Sequence, residues 1–182
     1  GWFVAEMLLR KSFRVWKVWK GGAVMVCVMA LLCAGCVADL FGVESRVLWL
    51  PDVFGYSAAL PQILKKSGVD RFVTSKISWN DTNTFPYETF LWLGIDGSSV
   101  PVHFNTIQTW IDEESVGKRV ADIRDARESD CLLMAYGFGD GGGGSTDWMI
   151  ENARRMHSPI AGVPAVRQEF ARDFFEKLEK RV

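Results

Sequence analysis

Asp52 and Asp140 are the residues whose placement suggests chemistry. Asp52 follows the apolar run Val47-Leu48-Trp49-Leu50 and Pro51, and Asp140 comes after Leu132-Leu133-Met134-Ala135-Tyr136, at the head of four glycines, Gly141 to Gly144. In open α/β sheets, sites form beyond the carboxyl ends of the strands. Two carboxylates at such ends can divide the work of substitution at an acetal carbon with retention. One attacks the carbon and the other protonates the leaving oxygen, at a separation of ~5–5.5 Å. Strand-end aspartates also cap helices and turn loops, and spacing in sequence does not fix a distance. On the residues alone both readings stay open.

Other groups narrow the field by what they lack. The glycine run has neither the Gly-Lys-Ser/Thr ending nor the lysine of a phosphate loop, and its contiguous glycines do not fit a dinucleotide fingerprint. It suits either a close approach of backbone to a ligand or a plain surface loop. His103 and His157 are the two histidines, and neither forms a His-x-Asp or His-x-x-x-His pair. His103 reads as structural within an apolar strand, and His157 reads as a favourable partner of a helix C-terminus. Cys27, Cys33, Cys36 and Cys131 include a single Cys-x-x-Cys, which argues against a structural zinc site and against a disulfide framework.

The elements that must position these groups follow from the apolar pattern. Val47 to Leu50 reads as a buried strand ended by Pro51. Residues 58–67 read as a helix, with Pro61 in the first turn and Gly68 as the stop. Arg71-Phe72-Val73-Thr74 is the next strand, completing a strand–helix–strand unit. Residues 79–89 have loop chemistry, and residues 90–93 and 100–104 flank Asp96-Gly97 as a hairpin. A helix is expected over 113–128, a buried strand over Leu132 to Tyr136, and a helix capped by Ser145 or Thr146 running to about Met156. Gln168 to Arg181 closes the chain as an amphipathic helix with Phe170, Phe174, Phe175 and Leu178 on one side. Such alternation predicts a parallel sheet with helices on its faces.

Composition sets outer bounds. The 182 residues carry 48% hydrophobic and 24% charged residues, enough apolar content for a real core. A formal net charge of −1 gives no electrostatic case for nucleic acid or for an anionic membrane. The 13% aromatic content serves a core first and a sugar site second. Residues 1–37 differ in kind from residues 38–182. Arg10, Lys11, Arg14, Lys17 and Lys20 precede an uncharged stretch over 23–37. That order mimics a secretory signal or an anchor, although the run is short of the ~20 apolar residues of a spanning helix.

Four ordered blocks then carry a resemblance. Val47-Leu48-Trp49-Leu50-Pro51-Asp52-Val53-Phe54-Gly55-Tyr56-Ser57 resembles the nucleophile segment of glycoside hydrolase family 38. Ser78-Trp79-Asn80-Asp81-Thr82-Asn83-Thr84-Phe85-Pro86-Tyr87, then residues 90–98, then residues 136–144, resemble the blocks that follow it. Their order and spacing are similar to the branch containing the cytosolic and vacuolar α-mannosidases. The resemblance implies an α/β fold, a parallel-sheet, (β/α) barrel-like catalytic domain, present over residues 38–182 as an incomplete fragment. It implies a retaining, zinc-dependent, cytoplasmic α-mannosidase acting on mannose-containing oligosaccharides. Asp52 would be nucleophile and metal ligand, and Asp140 the acid/base. Trp79, Phe85 and Tyr87 would line the sugar subsite. The family's upstream His-x-Asp pair and its downstream zinc-binding histidine have no counterpart in this sequence. The expectation is therefore an interior piece, inactive by itself, with one of about four zinc ligands. Residues 8–37 are expected to derive from a shifted reading frame, since family-like sequence stands on both sides of them. The competing expectation is a non-catalytic carbohydrate-binding or membrane-tethered protein.

Overall fold

The computed structural model describes residue 36 and residues 38–106, 109–123, 131–139, 143–158 and 161–180. The basic and apolar stretch over 1–35, and Asp140 with Gly141 and Gly142, lie outside the described residues.

Strand β1, Val47–Leu50, leads through a loop into helix α1, Leu60–Lys66. Pro61 occupies the start of α1, where its missing N–H costs nothing, and Lys65 and Lys66 lie in the last turn, complementing the helix dipole. Strand β2, Arg71–Thr74, follows and ends in a 3₁₀ turn, Lys76–Ser78. Strands β3, Thr89–Leu93, and β4, Ser99–Phe104, form the hairpin around Asp96-Gly97. Asp96 accepts hydrogen bonds there from the amide and the hydroxyl of Ser98. Three helices complete the chain: α2, Glu113–Ala121; α3, Asp147–Arg155; and α4, Ala171–Leu178. The Asp112 carboxylate caps α2 through the Ser115 amide, and the Thr146 hydroxyl caps α3 through the Met149 amide. Among the described residues no helix is long and apolar enough to cross a membrane.

The sheet order is β1-β2-β4-β3. β1 is parallel to β2, with Leu48 opposite Phe72, and β2 is parallel to β4, with Phe72 opposite Val102. β3 runs antiparallel to β4, with Phe90 opposite Val102. This corrects the parallel, barrel-like expectation: the sheet is open and four-stranded, and the expected hairpin makes it mixed. The physical reason lies in two local features. A tight turn can join β3 to β4 only as an antiparallel hairpin. Leu132 to Tyr136, expected as the next parallel strand, runs without strand pairing. β4 already has β2 and β3 on its two sides. The Leu133 and Ala135 amides bond instead to the side chains of His103 and Asn105, at 3.1 and 2.9 Å.

Side-chain alternation along the strands sorts the core into two layers. Leu48, Phe72, Val100 and Val102 pack with Tyr56, Leu60 and Leu64 on the α1 face. Val73 points the other way and packs with Phe174, Phe175 and Leu178 of α4. The run Arg71–Thr74 is buried at every position because both faces are covered. Arg71 donates from Nε and Nη2 to the two carboxylate oxygens of Glu179, at 2.9 and 3.0 Å, and so fastens the end of α4 to β2. A further cluster, Ile111, Val116, Met149, Ala153 and Met156, joins α2 to α3.

Candidate active site at the strand ends

The exit of β1 is held by the end of β2. The Tyr56 hydroxyl donates to the Leu50 carbonyl at 2.9 Å. With its one proton used there, it accepts the hydrogen bond of the Thr74 hydroxyl at 2.6 Å. The Ser75 hydroxyl donates to the Pro51 carbonyl. Gly55 has φ +87°, a conformation that lets the loop fold back and that an L side chain adopts only under strain. These contacts fix the backbone on both sides of Asp52.

The Asp52 side chain is 60% exposed and its Oδ1 lies 2.7 Å from the Lys76 ammonium, whose side chain is only 6% exposed. Lys76 Nζ sits 3.2 Å from the centre of the Trp79 ring and 4.9 Å from that of Phe54. The two rings meet edge to face at 6.0 Å. Thus the first strand supplies an exposed carboxylate, the 3₁₀ turn after the second supplies a buried cation, and two aromatic faces cover that cation.

The structure brings Trp79 to Asp52 through Lys76. Phe85 and Tyr87 belong to a second ring group: Phe85 packs at 4.7 Å on Phe90 and 5.2 Å on Phe104, with Tyr87 edge-on at 6.4 Å. Asp140 lies outside the described residues. Phe138 and Gly143 pair as an antiparallel bridge. A Cβ at Gly143 would stand 3.2 Å from the Phe138 Cβ, so this glycine permits the close approach. Lys76 and Phe54 were not singled out from sequence. The available signal was a lysine two residues past the strand Arg71–Thr74 and three residues before a tryptophan.

The histidines are structural. His103 is fully buried. Its Nε2 accepts the Leu133 amide, so the neutral ring carries its proton on Nδ1 and donates to the Thr89 hydroxyl at 2.9 Å. Burial, reinforced by the nearby Arg119 charge, pushes its pKa down to about 3. His157 meets the Val166 carbonyl through Nδ1 at 3.3 Å. Among the described residues no three His, Cys, Asp or Glu side chains converge on a point. Asp52 therefore offers zinc a single carboxylate, with one oxygen already bonded to an ammonium. By itself that donor set does not fit a zinc site.

The model of the glycosyl hydrolases family 38 N-terminal domain matches residues 31–182. The chain belongs to this family. Among curated family 38 relatives, Alpha-mannosidase 2C1 of Homo sapiens is 44% identical over 142 residues, which are 76% of this chain and 14% of that protein. Alpha-mannosidase of Saccharomyces cerevisiae is 42% identical over 121 residues, 65% of this chain and 11% of that protein. The chain thus spans about one ninth to one seventh of the length of the curated relatives it matches. The crystal structure of an alpha-mannosidase from Enterococcus faecalis V583 superposes with a TM-score of 0.59 at 14% identity. It covers 80% of this chain and 17% of that one, and supports the fold.

Proposed function

We propose that this family 38 segment carries the nucleophile of a retaining α-mannosidase that hydrolyses terminal α-mannosides of oligosaccharides. The observation that carries the reading is Asp52: a carboxylate at the carboxyl end of a parallel strand, backbone-fixed, exposed, and paired with a lysine that lies on an aromatic face. In the first step a carboxylate oxygen of Asp52 bonds to the anomeric carbon as the bond from that carbon to the leaving oxygen breaks. Asp140 gives the leaving oxygen its proton. In the second step Asp140 takes a proton from water, whose oxygen displaces Asp52 with a second inversion. Trp79, Phe85 and Tyr87 are the proposed sugar-lining residues. Of these, Trp79 is 61% exposed and lies nearest the carboxylate's partner, Lys76.

Zinc dependence is proposed of the whole family domain, to which the described residues contribute Asp52. A cytoplasmic location is proposed from the branch that the sequence resembles. Asp52→Ala tests the assignment in the full natural chain carrying this segment. The expected outcome is loss of aryl α-mannoside hydrolysis. Turnover within about tenfold of wild type would remove Asp52 as nucleophile.

A second reading, binding of carbohydrate without turnover, is favoured by the small donor set around Asp52 and the open indole of Trp79. Mannoside affinity that survives Asp52→Ala, with no wild-type turnover, would support it.

A further inference from the structure

Lys76 takes no part in the two bond-changing steps, yet its placement is unusual. Lysine is almost never buried unless paired. Here the side chain is 6% exposed, and its ammonium touches an Asp52 oxygen and the faces of Trp79 and Phe54. One cation therefore links the proposed nucleophile to the proposed sugar-stacking indole. The 3₁₀ turn anchors the link at both ends, through the Ser78 amide on the Ser75 carbonyl and the Trp79 amide on the Lys76 carbonyl, each at 3.1 Å. A carboxylate has two oxygens, and the lysine bond at 2.7 Å takes Oδ1.

We infer that Lys76 is a positioning residue for the reaction. It pins Oδ1 of Asp52, leaves Oδ2 as the oxygen that meets the anomeric carbon, and holds Trp79 at a fixed distance from it. The inference rests on the mannosidase reading. The benefit is preorganisation: the freedom of the long stem is already lost in the fold, so the carboxylate need not be oriented when substrate arrives. A purely structural ion pair would join the two loops and do nothing for turnover.

Two measurements separate these roles. In the 182-residue chain, lysine Nζ correlation spectra should contain one slowly exchanging ammonium, shifted upfield by the indole ring current. Trp79→Leu should remove the shift, and Asp52→Asn should speed the exchange. In the full natural chain, Lys76→Met should lower kcat for an aryl α-mannoside about 10²-fold while KM stays within about threefold. Lys76→Arg keeps the charge and stacks on the indole, so it should restore most of kcat. Wild-type kcat in Lys76→Met would overturn the inference. So would an equal loss in Lys76→Met and Lys76→Arg accompanied by a lowered Tm, which is the mark of a structural pair. No wild-type hydrolysis of the aryl α-mannoside would instead overturn the mannosidase reading itself, and retained turnover in Asp52→Asn would remove Asp52 as the nucleophile.

Discussion

His103 shows how a buried polar side chain can do a strand's work. Its imidazole accepts one amide and donates to one hydroxyl, which is the whole capacity of a neutral ring. Its pKa of about 3 lies well below the ordinary histidine value, so the unfolded chain binds a proton that the folded chain refuses. Stability from this residue is present in full above the ordinary value near 6.5. It is lost as the pH falls from there toward 3, with a slope of up to about 1.4 kcal/mol per pH unit. His103→Gln removes the titration while keeping an acceptor. Denaturant unfolding across this window should show a flatter pH dependence in the variant than in the wild type. Equal slopes would mean that the ring is protonated in the fold. At this scale the sequence was informative about His103, because an isolated histidine in an apolar strand has few other fates. It was silent about Lys76. A lysine reads as a solvated residue, and its burial depends on where two loops from different strands place Phe54 and Trp79.

The elements themselves follow local rules closely. Proline at a helix start, a threonine cap and the short run Arg71–Thr74 put α1, α3 and β2 within a few residues of their expected places, whereas α2 starts at Glu113 as expected but ends at Ala121, short of 128. Leu132 to Tyr136 is the instructive exception. An apolar run has strand character only if a neighbour's edge is free to pair, and β4 is flanked on both sides. Side chains of His103 and Asn105 therefore satisfy its amides. Helix α4 depends on a partner just as specific. The Arg71 guanidinium, bonding to the Glu179 carboxylate, holds that carboxyl below the usual range. A depressed carboxyl pKa adds stability above the ordinary glutamate value, and the gain disappears as the pH falls through the folded value. Glu179 is half-exposed, so solvent screens the pair. Glu179→Gln should lower Tm by about 1–4 °C at pH 7, and the difference should vanish near pH 3. A difference unchanged between those two pH values would show that packing, and not charge, ties α4 to the sheet.

At the scale of the molecule, the sheet is open, and among the described residues no further strand pairs with the outer edges of β1 and β3. Closure was illegible because strand–helix alternation predicts parallel neighbours but does not count them. The hairpin between Thr89 and Phe104 then inserts an antiparallel strand at one edge. Family membership, by contrast, was legible from four short blocks, since they preserve order as well as residue type. The central claim remains that Asp52 is the group that bonds to the sugar. Reaction of the full natural chain with an activated 2-deoxy-2-fluoro-α-mannosyl fluoride, followed by peptide mass spectrometry, tests it most directly. The account predicts a mass increase of one fluoromannosyl unit on the peptide containing Asp52, absent in Asp52→Asn. Label on any other carboxylate, with Asp52 unmodified, would contradict it.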